Sequence, residues 1–176
     1  YFNKAQIVDK EGQTRPLVAK EEKIVITGKT PADFVSGGIT PMQSASLLLI
    51  LVAGISIYGI RRGKTLWGID LILFLIAGMA GCILAFLALF SQHPAVSPNY
   101  ILFVFHPFHL FCLPFMLSRV RKREISRYML VNFAVLTLFI GLWTIIPQRI
   151  PPAVLPLALC LLIRSASNLI LTYKRR

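Results

Sequence analysis

The sequence predicts an all-α membrane protein: a bundle of five transmembrane helices preceded by a short β-rich periplasmic tail. Three observations predict it. Apolar side chains make up 56% of the 176 residues, and they gather after Met42 into long, nearly uncharged runs, well beyond the apolar share of an ordinary soluble domain. The Lys and Arg residues of that part cluster on alternate loops: Arg61, Arg62 and Lys64; then Arg119, Arg121, Lys122, Arg123 and Arg127; then Lys174, Arg175 and Arg176. The loops between these clusters are nearly free of them: 91–100 has none and 147–152 has Arg149 alone. That is the positive-inside pattern. The aromatic residues agree with it, with Trp67, Tyr128 and Tyr173 beside basic ends and Trp143 and Tyr100 beside the opposite ends.

In chain order, residues 1–30 read as the β-rich end of an upstream periplasmic domain. Gln6-Ile7-Val8 and Lys23-Ile24-Val25-Ile26-Thr27 are β-branched runs separated by the polar stretch around Lys10-Glu11-Gly12, and Gly28 closes the second. Residues 31–41 form a Pro/Gly-bounded linker. The transmembrane domain, 42–176, has spans expected at about 43–60, 66–90, 100–117, 128–146 and 153–173. The first stops at Arg61-Arg62-Gly63-Lys64. The third is short and interrupted by Pro107 and Pro114. The fifth carries Pro156 near its first turn. Odd span number and the charge pattern place the N-terminus outside and the C-terminus in the cytoplasm. A re-entrant third segment is the alternative, but it would put the 119–127 cluster outside, against the charge bias. The chain starts at Tyr1 without a signal peptide, and a soluble-looking exterior start is expected to continue an upstream exported domain.

The net charge of +12 is not a nucleic-acid footprint, because each basic cluster is short and abuts an apolar run, where it meets an anionic leaflet. Cys82, Cys112 and Cys160 lie inside apolar runs without metal-ligand spacing, and read as buried small side chains. No metal and no cofactor is expected.

Asp70 and Arg164 are costly inside apolar runs, roughly 2.5–3.5 kcal/mol each on insertion scales at a helix centre. Both fall toward the basic side, where they form an ion pair or else reach the interface separately. Asn168, one turn from Arg164, is placed to satisfy part of the guanidinium. Asn132 is expected to donate an interhelical hydrogen bond. In the second span Ala77, Gly81 and Ala85 form a row of small residues that permits close helix approach and makes this span a candidate for the bundle centre. The outer loop and third span hold His93, Asn99, His106 and His109. His93 and Asn99 are expected at headgroup level, and His106 and His109 share a face if the helix is intact. Polar packing, contact with a lipid headgroup or acyl chain, and a metal site are the competing readings. No Ser/His/Asp set, glycine-rich phosphate loop or carboxylate pair is present; Cys82 and Cys160 have no base nearby in sequence to activate them, and Cys112, three residues from His109, reads with it as packing deep in the membrane.

The five-span layout, the tail Arg15-Pro16-Leu17-Val18, and the loop Phe90-Ser91-Gln92-His93-Pro94 followed by Asn99 and Pro107 resemble the C-terminal membrane region of Lnb-like proteins, which are bacterial lipoprotein N-acyltransferases. The resemblance covers most of the chain. It implies an inner-membrane protein whose chemistry lies in a periplasmic domain bearing a reactive cysteine and histidine, so no catalytic residue is assigned here. It implies membrane lipids, a lipoprotein substrate and the upstream periplasmic domain as partners, and no nucleic acid. On this reading the bundle anchors the catalytic domain at the outer leaflet and helps admit lipid, with His93, Asn99 and His106 nearest that access. A non-enzymatic anchor of an exported domain and a small transporter working through Asp70, Arg164 and the histidines are the other readings.

Overall fold

The computed structural model describes residues 6–8, 12–16, 38–90 and 99–174. The chain divides into two units, Tyr1–Gly38 and Ile39–Arg176. In the first, β1 (Gln6–Val8) pairs antiparallel with β2 (Thr14–Pro16), with Ile7 opposite Arg15. Gly12 precedes β2 at φ +80°, a conformation glycine adopts without a side-chain clash. The expected β-run Gln6-Ile7-Val8 is thus a strand. Its partner is Thr14–Pro16, which lacks the apolar alternation that marks strands in a sequence. The other expected run, Lys23–Thr27, lies outside the described residues. Two three-residue strands are the whole of the β-structure among the described residues.

The second unit is helical. Helix α1 (Pro41–Arg62) opens with a capping box: Gln43 N–H donates to Thr40 Oγ1 at 3.2 Å, and Thr40 N–H donates to Gln43 Oε1 at 2.9 Å. Pro41 at its first position has no N–H to leave unpaired. The helix closes at Gly63, which takes the left-handed conformation (φ 63°), while Lys64 N–H donates to Gly59 O at 2.9 Å. Helix α2 spans Trp67–Phe90. Its buried residues Asp70, Phe74, Ala77, Gly78 and Gly81 fall on one helical face. Ile72, Ile76, Met79, Ile83 and Phe86 form the opposite, exposed stripe. An apolar exterior around a polar interior is the arrangement a lipid solvent favours.

The expected single span at 100–117 is broken. A 3-10 turn (Tyr100–Phe103) leads to the short α3 (Phe108–Phe111) and then α4 (Leu113–Lys122), with a bend of 78° between the segment ending at Phe111 and α4. Pro107 has no N–H to donate to a preceding carbonyl, and Pro114 sits in the opening turn of α4, where its missing N–H breaks no helical hydrogen bond. Helix α5 (Arg127–Gly141) is shorter than the expected 128–146, because the chain passes into turns at 142–145. At 1.5 Å per residue it is about 22 Å long, less than a ~30 Å hydrocarbon core. Helix α6 spans Val154–Tyr173, with Pro156 in its first turn. Among the described residues, α1, α2 and α6 are each long and apolar enough to cross a membrane, and the bent pair adds a fourth segment if it counts as one span.

Helix α6 is the bundle centre, not α2. Of its most apolar window 56% is buried, against 22% for α1 and α2. Helices α1 and α5 pack along α6, while α2 packs chiefly on α3 and α4. The core between them includes Phe74, Met116, Met129, Leu136, Ala158 and Leu161.

Candidate functional site

Two polar clusters lie inside the bundle. The first joins α1, α2 and α6. Arg164 donates from Nε to Asp70 Oδ1 at 2.7 Å and from Nη2 to Asp70 Oδ2 at 3.0 Å, a two-pronged ion pair. Arg164 Nη1 also donates to Ser56 Oγ on α1 at 3.0 Å. Asn168 Nδ2 donates to Asp70 Oδ2 at 3.0 Å. Asp70 and Arg164 are 0% and 1% exposed, so neither side chain reaches the interface on its own. Asn168 was expected on the guanidinium; it binds the carboxylate instead, because a carboxylate has more acceptor sites than one arginine fills. Ser56 supplies the remaining partner. Only its position in the last third of α1, at the depth of Asp70, hinted at it, and a lone serine in a membrane helix is a weak signal.

The second cluster is built on the break after the 3-10 turn. His109 lies fully buried. Its Nε2 is 2.8 Å from Val104 O and its Nδ1 is 2.6 Å from Tyr128 Oη on α5. A carbonyl can only accept, so Nε2 carries the proton and Tyr128 donates its hydroxyl to Nδ1. The imidazole thereby serves a backbone carbonyl at the break and ties that segment to α5. His106 stacks on His109, with ring centroids 3.8 Å apart, and Phe74 meets His109 edge-on at 5.2 Å. Tyr128 stood in the sequence as an interfacial aromatic; its bond to His109 was not legible, since it depends on the bend. Tyr128→Phe is expected to remove this bond and lower stability by about 0.5–1.5 kcal/mol, read as a fall in the thermal unfolding midpoint of the detergent-solubilised chain.

The small-residue face of α2 lies against this same segment. A Cβ on Gly81 would sit 2.5 Å from the backbone carbon of His106, and one on Gly78 would sit 2.6 Å from Leu110 N. The glycines admit the broken chain rather than another long helix. On α5, Asn132 Nδ2 donates to Ser165 Oγ at 2.9 Å, and Ser165 Oγ donates to Leu161 O at 2.9 Å.

Asn99 and His106 lie on different parts of the broken segment. Asn99 starts the 3-10 turn, its Oδ1 accepting from Ile101 N–H at 3.1 Å. Next to it, Tyr100 N–H donates to Gln148 Oε1 at 2.7 Å, which ties the turn to the connection between α5 and α6. His106 belongs to the His109–Tyr128 cluster. His93 lies outside the described residues. At the opposite end the basic residues are engaged with one another's loops. Arg123, at φ 54° after α4, donates to Gly63 O, Arg121 sits 4.8 Å over the Trp67 ring, and Arg119 pairs with Glu124 at 2.5 Å. Among the described residues no group of three His, Cys, Asp or Glu side chains is arranged to hold a metal ion.

The family model described as the Lnb transmembrane domain matches residues 33–176. The chain belongs to that family. The match takes in every helix from α1 to α6 and leaves the β1–β2 hairpin outside it. Neither the curated proteins nor the solved structures yield a match. In this Lnb transmembrane domain both polar clusters lie buried inside the helical bundle.

Proposed function

We propose that this chain is the membrane domain of a bacterial lipoprotein N-acyltransferase of the inner membrane. It crosses five times, with the start of α1 toward the periplasm and the end of α6 in the cytoplasm. It anchors a periplasmic catalytic domain at the outer leaflet and helps admit the lipid whose acyl chain goes to the amino group of a lipoprotein's N-terminal cysteine. The observation that carries the reading is membership of the Lnb transmembrane family over residues 33–176. The alternating basic loops support the five crossings and their direction. The five-crossing count takes the bent 3-10/α3/α4 segment as the third span and α5 with its following turns as the fourth.

Two arrangements favour a scaffold over a transporter. Asp70 and Arg164 neutralise each other with both carboxylate oxygens and three guanidinium nitrogens bonded, so no free charge is left to carry an ion. His109 has both ring nitrogens committed. Transport would still require substrate flux in reconstituted vesicles that is lost in Asp70→Asn.

In the full-length protein, Asn99→Ala is expected to cut lipoprotein N-acylation several-fold, read as the shift in lipoprotein mass, while membrane insertion persists. Loss of the cap loosens the turn that leads to His106, and one such cap contributes about 1 kcal/mol. His93→Ala is expected to act in the same direction. Wild-type acylation in both variants would remove these residues from lipid access. Replacing the bundle by an unrelated anchor tests the passive alternative: full acylation in that chimera would reduce the domain to a tether.

A further inference from the structure

Two surface depressions between the bent segment and α5 meet at Cys112, Arg127 and Tyr128. The first, with a cavity volume of about 1040 Å³, is lined at the basic end of the bundle by Arg119, Lys122 and Arg127 against the single carboxylate of Glu124. The second, of about 590 Å³, runs into the apolar part between Phe103, Phe108, Val131 and Val135. Arg127, Val131 and Val135 recur at four-residue intervals, so one stripe of α5 begins cationic and continues apolar. It rises about 12 Å from Arg127 to Val135 at 1.5 Å per residue. Phe103, Phe108 and Val131 are exposed, so the groove opens sideways to the bilayer.

We infer that this groove is a binding site for one anionic phospholipid, with its phosphodiester held by Arg119 and Arg127 and one acyl chain lying between α3 and α5. Charge and polarity select the occupant. A water-soluble anion would match the basic mouth and leave the apolar part bare, and an apolar helix would match the groove and leave the mouth's excess of positive over negative side chains uncompensated. A guanidinium presents paired donors to phosphate oxygens, and each cation near an anionic headgroup strengthens binding roughly fivefold. The ion pair between Arg119 and Glu124 is exposed and weak, so a phosphate can share or displace it. The headgroup site lies at the basic end, the apolar part reaches Phe103 and His106, and lipid retention is read independently of acyl transfer. Its occupancy would brace the bent segment against α5 beside the His106–His109–Tyr128 cluster.

The test is native mass spectrometry of the chain released from nanodiscs of equal phosphatidylglycerol and phosphatidylcholine, counting retained lipids. The wild type is expected to retain one phosphatidylglycerol. Arg119→Gln with Arg127→Gln is expected to lower that retention at least tenfold. Val131→Trp fills the apolar part without changing charge and should lower it several-fold. Arg61→Gln with Arg62→Gln removes the same charge from another basic cluster and should leave it within twofold. Equal retention of the two lipids by the wild type would overturn the proposal. So would equal loss in the two charge pairs, which would mean diffuse attraction, or release of the chain as a lipid-free dimer, which would mean a second copy covers the groove.

Discussion

Asp70→Ala should be among the most damaging single substitutions in the bundle, costing about 3–5 kcal/mol, the usual consequence of leaving one buried charge without its partner. For a chain of this size that is a fall of roughly 10 °C in the thermal unfolding midpoint. The reason is Arg164. It is 1% exposed, and the substitution would remove the acceptors of two of its hydrogen bonds while leaving only Ser56. The reverse change, Arg164→Met, is expected to cost less. A carboxyl group stranded in apolar surroundings can bind a proton and become neutral, whereas a guanidinium cannot give one up. Removing both, as Asp70→Leu with Arg164→Met, is expected to recover most of the loss, because a well-packed apolar pair replaces a buried ion pair at little net cost. If the double variant is as unstable as Asp70→Ala, the pair supplies more than mutual neutralisation, and its hydrogen bonds to Ser56 and Asn168 become the features that hold α1, α2 and α6 together.

How much of this was legible in the sequence follows from the physics of each feature. A charge in an apolar run stands out because a bilayer penalises it strongly, so Asp70 and Arg164 were visible as a possible pair. Ser56 was not, because a hydroxyl in a membrane helix can bond its own backbone and its presence selects no partner. The positions of α1, α2 and α6 followed from apolar runs bounded by charge, and the basic clusters marked where they stop. Pro107 and Pro114 announced an interruption, but a missing N–H fixes where a helix breaks and not the angle at which it resumes. The 78° bend lies where the broken segment packs on α2, and His106, His109 and Tyr128 meet beside it. The small-residue row on α2 was correctly a packing face. Its partner was not a neighbouring long helix but the backbone of the broken segment, which has no amphipathic pattern of its own to read.

That close approach yields the second large effect. Gly81→Ala is expected to destabilise the bundle by about 3 kcal/mol, the upper part of the usual range for overpacking. The added carbon would fall 2.5–2.7 Å from the backbone C, Cα and N of His106. Backbone atoms cannot rotate away as a side chain would, so the segment itself must move. Gly54→Ala is the matched control. Beyond its own helical turn no atom lies within 4 Å of its would-be Cβ, and alanine in mid-helix is favoured over glycine by roughly 0.5–1 kcal/mol, so it should be neutral or slightly stabilising. Equal unfolding midpoints for the two alanine variants would show that α2 and the His106 backbone are not in contact. The difference between them also separates packing from function. A shifted His106 drags the stacked His109 ring away from Tyr128. Gly81→Ala in the full-length protein should then lower lipoprotein N-acylation at temperatures where the variant is still folded, if the cluster shapes lipid access, and should leave it unchanged if the cluster only packs the bend.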